Sequence, residues 1–365
     1  MPKKSPHVAI IGAGVAGLTA AQTLAHHGIT TTTFEKSHGV GGRAATRRIY
    51  GCVIDHGAQY IKKPVKELLD TVMPGASLLH EAHDIRLPVW IFDVHGQIRE
   101  GDPVQNAEPK WCWAGGLTTL SKRLATGLDI RLDVEVGRIG RTQEGRRFVL
   151  LDAEGVTLNT ADAVLITPPA PQIITMLAQS EGDDAYRTIF MRELVQVSYR
   201  RCLSLTFAYP RRPDVPWYAL VNTDRQHAIA WLGCEHMKPG HAPDDIGLLV
   251  VQMAHQFSLD HWDGIQKGTY GQHHAPLPEL VLDVHERVRQ LLNTDLGHPL
   301  WINAQCWRYA LPDALADFNR LNETRSGWYF AGDYVAGLGR VHLSIESGWR
   351  VANMIHRDLA DTKWR

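Results

Sequence analysis

The chain has 365 residues, a formal net charge of −1, and 44% hydrophobic against 21% charged residues. That composition excludes a mainly disordered or low-complexity protein, and the length favours two domains. Balanced charge leaves no whole-protein field to draw in nucleic acid or an anionic membrane. Five cysteines (Cys52, Cys112, Cys202, Cys234, Cys306) are scattered with no CxxC pair, which argues against a disulfide framework or a structural zinc site. The 19 histidines form no HExxH signature, so no metal is expected. No stretch approaches the roughly 18 apolar residues of a membrane span, and the apolar run at 8–11 ends too soon for a signal peptide. These features predict a soluble, cytoplasmic protein with no membrane or nucleic-acid partner. The 11 tryptophans exceed both Tyr and Phe, as suits an enzyme or binder with a large aromatic interior.

In chain order, 8–11 reads as a buried parallel strand. It runs into Gly12-Ala13-Gly14-Val15-Ala16-Gly17, a helical stretch ended by Gly28, a β-branched strand at 30–34, and Glu35, 18 residues beyond Gly17. Gly12 makes the tight turn, Gly14 admits a pyrophosphate to the helix N-terminus, and Gly17 lets helix and strand pack closely. Glu35 is placed to accept from both ribose hydroxyls of an adenosine. This is a Rossmann-type dinucleotide site. Gly41-Gly42-Arg43 then offers further amides and a guanidinium to the pyrophosphate, whereas Arg47 and Arg48 read as a solvated basic loop. A nicotinamide dehydrogenase would continue into further βα units here, and this chain does not.

Further on, 87–92, 203–209 and 248–253 read as strands of a second sheet. The segments 134–136 and 149–151 return to the first body, and 279–292 is an amphipathic helix with Leu280, Val284, Val288 and Leu291 apolar. A last apolar run, 328–331, ends at Gly332-Asp333. It is followed by a helical pattern placing Ile345, Gly348, Ala352, Ile355 and Leu359 on one face.

These residues resemble the FAD-dependent amine-oxidase superfamily, and within it the renalase-type flavoproteins. The glycines with Glu35 and Gly42-Arg43, Asp55-His56-Gly57-Ala58-Gln59-Tyr60, residues 162–169 ending in Thr-Pro-Pro, and Ala331-Gly332-Asp333 carry the superfamily likeness. Tyr199-Arg200-Arg201-Cys202, Ala230-Trp231-Leu232, Lys238-Pro239-Gly240 and Trp307-Arg308-Tyr309-Ala310 carry the renalase-type one. The resemblance implies an α/β fold: a discontinuous Rossmann-type FAD-binding domain (1–75, 129–185, 301–365) with a β-sheet-plus-helices substrate domain (76–128, 186–300). It implies non-covalent FAD held at Gly12, Gly14, Ala16, Gly17, Glu35, Lys36, Gly42, Arg43, Gln59, Tyr60, Val136, Gly332, Asp333, Val341, His342 and Leu343. The stretch Arg340-Val341-His342-Leu343-Ser344 departs from the family's usual Glu-Gly-Ala and puts substrate identity in question.

By the same resemblance Tyr199, His261 and Trp307 line the substrate pocket as catalytic candidates. Core packing is the alternative for Trp307 and an exposed surface position for His261. Trp111 and Trp113 are candidates for an entrance. The implied activity is that of an oxidase: hydride passes from a small molecule to flavin N5 and electrons pass to O2, the substrate being a dihydropyridine isomer of NAD(P)H. An amine oxidase or desaturase, or a non-catalytic flavin-binding protein, remain alternatives, and the expected state is monomer or homodimer.

Overall fold

The computed structural model describes residues 5–62, 65–73, 78–145, 147–271, 275–323 and 325–361; the expected boundary at 75/76 lies outside the described residues. A five-stranded, wholly parallel sheet forms the first body, in the order Ile130–Leu132, Thr30–Glu35, His7–Ile11, Ala163–Ile166, Trp328–Phe330. Its centre strand is apolar at every position from Val8 to Ile11 because both faces are covered. Val8 and Ile10 face the helices Val15–His26 and Val341–Ala360. Ala9 and Ile11 face a small antiparallel sheet of Arg138–Arg141, Phe148–Leu151 and Thr157–Ala161. The two helices cross at Gly348, where a Cβ would strike the Ala16 backbone. That is the close packing the small-residue face predicts.

The second body is an eight-stranded sheet, in the order Gly268–Tyr270, Trp301–Ala314, Ser198–Tyr209, Gly247–Met253, Ile229–Cys234, Ala219–Asn222, Val89–Phe92, Ile98–Arg99. It is antiparallel except where Ala219–Asn222 meets Val89–Phe92. The helix Glu279–Leu292 covers one face with Leu280, Val281, Val284, Val288 and Leu291, packed in one cluster with Leu205, Phe207 and Val251. The α/β fold expected from sequence is the fold observed.

Two segments sit differently from expectation. The 14-residue strand Trp301–Ala314 belongs to the eight-stranded sheet, paired with Ser198–Tyr209 along its length, and not to the dinucleotide-binding body. Conversely, the strand Lys110–Trp113 and the helix Thr118–Leu124 bring Trp113, Leu117, Leu120 and Leu124 into one core with Val15, Leu18 and Ile345. Hydrophobic demand decides both: the first helix needs cover on its outer side, and the second sheet's long centre strand needs an equally long partner. No helix among the described residues is long and apolar enough to cross a membrane.

Candidate active site

One cavity of about 2210 Å³ runs between the two bodies. It starts at Gly12, Gly14, Glu35 and Val136, passes Gly42, Arg43, Gly332 and Asp333, and ends among Tyr60, Trp231 and Trp307. Ordinary ligand pockets occupy roughly 300–1,000 Å³, so this one has room for a dinucleotide and a second molecule.

The first end is a phosphate and ribose cradle. Gly12 turns with φ +98°, and a Cβ there would sit 2.5 Å from Thr167 Oγ1. Above Gly14 a Cβ would meet no atom within 4 Å, so a ligand can approach the start of the helix Val15–His26. Gly17 lies behind this wall, where a Cβ would strike the Gly12 carbonyl; its task is packing. Buried Glu35 accepts from the amide of Ala13 through Oε2 and from that of Ser37 through Oε1, each at 2.9 Å. Each oxygen keeps a second lone pair for a ribose hydroxyl. Ala16 and Lys36 also line this end, and Lys36 pairs loosely with Glu135 at 3.6 Å.

Arg43 lines the same cavity and has partners of its own. Its guanidinium forks onto buried Asp333 at 2.5 and 2.8 Å and donates to the Tyr309 carbonyl at 3.0 Å. Burial would lower its pKa, but the Asp333 charge outweighs burial and holds it above the ordinary value. Arg43 therefore braces the segment after the last parallel strand from a position on the cavity wall. Tyr199 donates to Asp333 Oδ1 at 3.1 Å. Burial, then the neighbouring Asp333 charge, pushes its phenol up, so it stays protonated. It lies behind Asp333, off the cavity wall, because Tyr309 packs over it with ring centroids 5.6 Å apart.

The first turn of the helix Val341–Ala360 opens on the cavity through Val341, His342 and Ser344; the helical twist turns Leu343 off the wall. Burial, then Arg340, lowers the His342 pKa, so the helix start presents a neutral imidazole at pH 7.

At the far end Trp307 is held as a flat wall. Its Nε1–H donates to the His56 carbonyl at 3.0 Å, and its ring lies 5.3 Å from that of His56 at 24°. A Cβ on Gly57 would come within 3.2 Å of Trp307 and collide with the Arg43 carbonyl, so only glycine fits beneath it. His56 is 6% exposed; burial, then Arg47 and Lys267, depress its pKa to about 4. Gln59 donates to the Asp55 carbonyl, and Tyr60 packs on Trp231 with centroids 6.1 Å apart.

His261 falls outside the cavity. It caps the end of the helix His255–Asp260, exposed, against Phe257. Six residues at 100° each carry it round the helix from His255, and on this helix it is His255 that lines the cavity, accepting from the Arg201 amide at 2.9 Å. Trp111 and Trp113 pack in the core around the first helix and do not line the cavity. Arg47, read as solvated, lines it.

A fully buried charge cluster went unseen in the sequence. Lys238 Nζ lies 3.0 Å from Asp55 Oδ2 and 2.9 Å from Glu235 Oε2, and His241 Nδ1 lies 2.9 Å from Glu235 Oε1. Asp55 also accepts from Thr46 Oγ1 and the Leu117 amide, and its own amide donates to Glu235. Burial alone would raise the Glu235 pKa, but Lys238 and His241 hold it below the usual carboxylate range. Asp55, Glu235 and His241 bring ligand atoms within 4.8 Å of one another, a metal-like spacing in which the Lys238 ammonium supplies the positive charge. His80 and His83 share a His-x-x-His spacing but are exposed. The signals for the cluster are Asp55 and Lys238, each inside a motif quoted above, and Glu235 standing directly after the apolar strand Ile229–Cys234.

The cavity tests positive for a ligand of FAD's kind. Besides the cradle, four buried polar atoms along it have no partner among the described residues: His56 Nδ1, Gln59 Oε1, Trp231 Nε1 and Gln305 Oε1. Buried polar atoms are seldom left unpaired, and a bound group is the natural partner.

Comparison with known proteins agrees. The model of the family "Flavin containing amine oxidoreductase" matches residues 78–356, and that of the NAD(P)-binding Rossmann-like domain matches 10–72. The chain belongs to the flavin containing amine oxidoreductase family, and FAD is the cofactor its fold and cavity fit. Among curated proteins it is 38% identical over 103 residues to probable polyamine oxidase 4 of Arabidopsis thaliana, covering 25% of this chain and 20% of that one. It is 34% identical over 89 residues to the 4,4'-diapophytoene desaturase (4,4'-diaponeurosporene-forming) of Staphylococcus aureus (strain Newman), covering 24% and 17%. These matches span a fifth or less of those relatives. Among solved structures, cyclohexylamine oxidase from Brevibacterium oxydans IH-35A superposes with a TM-score of 0.75 at 16% identity, over 98% of this chain and all of that one. Wild-type putrescine oxidase bound to putrescine superposes with a TM-score of 0.68 at 14% identity, over 96% and 99%. At such identities the likeness is one of fold.

Proposed function

We propose that the protein is an FAD-dependent, renalase-like oxidase: a dihydropyridine isomer of NAD(P)H gives up a hydride, and O2 is the final acceptor. One observation carries the reading. Trp307, pinned by the His56 carbonyl and seated on Gly57, forms a rigid flat wall in the same cavity that begins at the dinucleotide cradle. A planar ring stacked there is oriented and shielded from water, which is most of what hydride transfer demands.

FAD, when bound, supplies a two-electron acceptor and passes the electrons to O2. The balance is simple: a hydride leaves the substrate carbon, the dihydropyridine becomes an aromatic pyridinium, and hydride, one proton and O2 make hydrogen peroxide. No proton leaves the substrate, so the chamber needs no general base. The neutral His56 fits such a chamber, since at a pKa of about 4 its imidazole is a weak base. Tyr199, Arg43 and Asp333 act as a brace.

Peroxide release from a panel of dihydronicotinamide isomers and amines, measured in air on the FAD-loaded protein, tests the reading. Turnover of an isomer and not of amines is expected; turnover of amines alone overturns it in favour of the amine oxidase alternative. As part of the same proposal we assign the protein to the reducing cytoplasm, supported by its five unpaired thiols, of which Cys52, Cys112 and Cys234 are buried.

A further inference from the structure

We infer that Gln305 selects a primary carboxamide on the substrate ring through paired hydrogen bonds, so that the protein takes the amide in preference to the corresponding acid. This rests on the reading that the substrate ring lies against Trp307.

Strand alternation sets the face. In the paired strands Ser198–Tyr209 and Trp301–Ala314 successive side chains point to opposite sides. Leu203, Leu205, Ala304 and Cys306 pack in the core beneath the helix Glu279–Leu292. Ser204, Gln305 and Trp307 therefore stand on the other side, toward the dinucleotide-binding body. There Gln252, Ser204 and Gln305 lie opposite one another across three neighbouring strands, as a polar row.

Two members of the row are already engaged. Gln252 Nε2 donates to the Gly57 carbonyl at 2.7 Å, and Ser204 Oγ donates to the His56 carbonyl at 2.9 Å. Trp307, two residues beyond Gln305, donates to that same His56 carbonyl at 3.0 Å. Gln305 has no such task. It is 7% exposed and lines the cavity, and its side-chain amide makes no hydrogen bond among the described residues. Nδ1 of His56, whose ring lies 5.3 Å from that of Trp307, is likewise without a partner there.

Buried amides are seldom left unpaired, so a bound molecule is the natural partner for this one. A side-chain amide offers one carbonyl acceptor and one NH2 donor, which is the complement of another primary amide. The pairing is the same whichever way the Gln305 amide is turned. Two residues along a strand span roughly 7 Å, so a ring stacked on Trp307 brings a substituent on its edge to Gln305. A carboxylate could use only the Nε2 donor and would set an anionic oxygen against Oε1. The His56 imidazole, at a pKa of about 4, is neutral at pH 7 and does not compensate that charge.

The test uses the FAD-loaded protein with benzamide against benzoate and nicotinamide against nicotinate, titrated by calorimetry and by the change in flavin absorption. Each amide should bind about tenfold tighter than its acid, which is what one or two neutral hydrogen bonds supply. Gln305→Leu, close in volume but without donor or acceptor, should bring amide and acid within about twofold of each other with FAD occupancy unchanged. Gln305→Met, which keeps the unbranched shape, should do the same. Because both variants remove an unpaired buried amide, neither should lower the melting temperature. Acids binding as tightly as amides, or neither kind binding, overturns the inference. So does an amide preference that survives in both variants, or loss of FAD from both, which would give the Gln305 amide to the cofactor. If a dihydronicotinamide and its acid analogue are oxidised with equal efficiency, the proposed reaction stands and the role of Gln305 fails. If no dihydronicotinamide is oxidised while amide preference still depends on Gln305, the proposed reaction fails and the amide site stands.

Discussion

Replacing Lys238 by Met probes how the second sheet positions the flavin-side segment. The ammonium lies 3.0 and 2.9 Å from Asp55 and Glu235, and all three side chains are 0% exposed. Met matches the volume but removes the ammonium between Asp55 and Glu235, leaving Glu235 only its contact with His241. Removing one partner of a buried pair costs about 3–5 kcal/mol, a large share of the roughly 5–15 kcal/mol that holds a domain together. The pH dependence has a definite sign. Glu235 titrates below the ordinary 4.5 in the folded protein because Lys238 and His241 stabilise its charged form, so its contribution is present above pH 4.5 and fades as pH falls toward its folded pKa. Lys238 titrates above 10.5, so its contribution is present below 10.5 and fades as pH rises through the folded value. In the variant a carboxylate can relieve repulsion by taking a proton. The deficit should therefore be largest at pH 7 and smaller near about pH 4. Urea unfolding of both proteins at the two pH values measures this. A deficit under about 1 kcal/mol at pH 7, or one equal at both pH values, refutes the reasoning.

Other consequences follow from single contacts. Glu35→Ala removes both loop amide bonds and the ribose acceptors, and at about 1.5–3 kcal/mol for a charged hydrogen bond should weaken FAD binding at least tenfold; quenching of free FAD fluorescence reads it. The His56 pKa, lowered from 6.5 to about 4, makes protonation oppose folding. Stability should be full above pH 6.5 and fall by up to about 3 kcal/mol as pH drops to 4, and His56→Gln should flatten that limb in thermal melts. Trp307→Phe keeps a ring but loses the bond to the His56 carbonyl, worth about 0.5–1.5 kcal/mol. Flavin reduction should slow two- to tenfold with the fold intact, and an unchanged rate would remove Trp307 from the substrate wall.

Local features were the legible ones. The strand, glycines and helix from His7 to His26, and Glu35 at the end of the next strand, were read from adjacent residues, and the helix Glu279–Leu292 from its apolar spacing. What the chain hid depends on distant pairing. Arg43 meets Asp333 across 290 positions and Lys238 meets Asp55 across 183, and nothing local distinguishes a guanidinium bound for a carboxylate from one bound for a phosphate. Tyr199 and His261 were placed by motif, but strand alternation and helix rotation decide which side chain faces the cavity. The turn of the helix His255–Asp260 gave that place to His255. The long strand Trp301–Ala314 carries its motifs locally, while its membership of a sheet is set by Ser198–Tyr209 alongside it.

The most direct test is anaerobic mixing of the FAD-loaded protein with a dihydronicotinamide isomer in a stopped-flow spectrometer. Loss of the oxidised flavin absorbance is expected in a single rapid phase, at one hydride per FAD, with the oxidised nicotinamide as product and recovery on admitting O2. Purification of a colourless protein that binds no FAD, or bleaching by amines and not by any dihydronicotinamide, would contradict it.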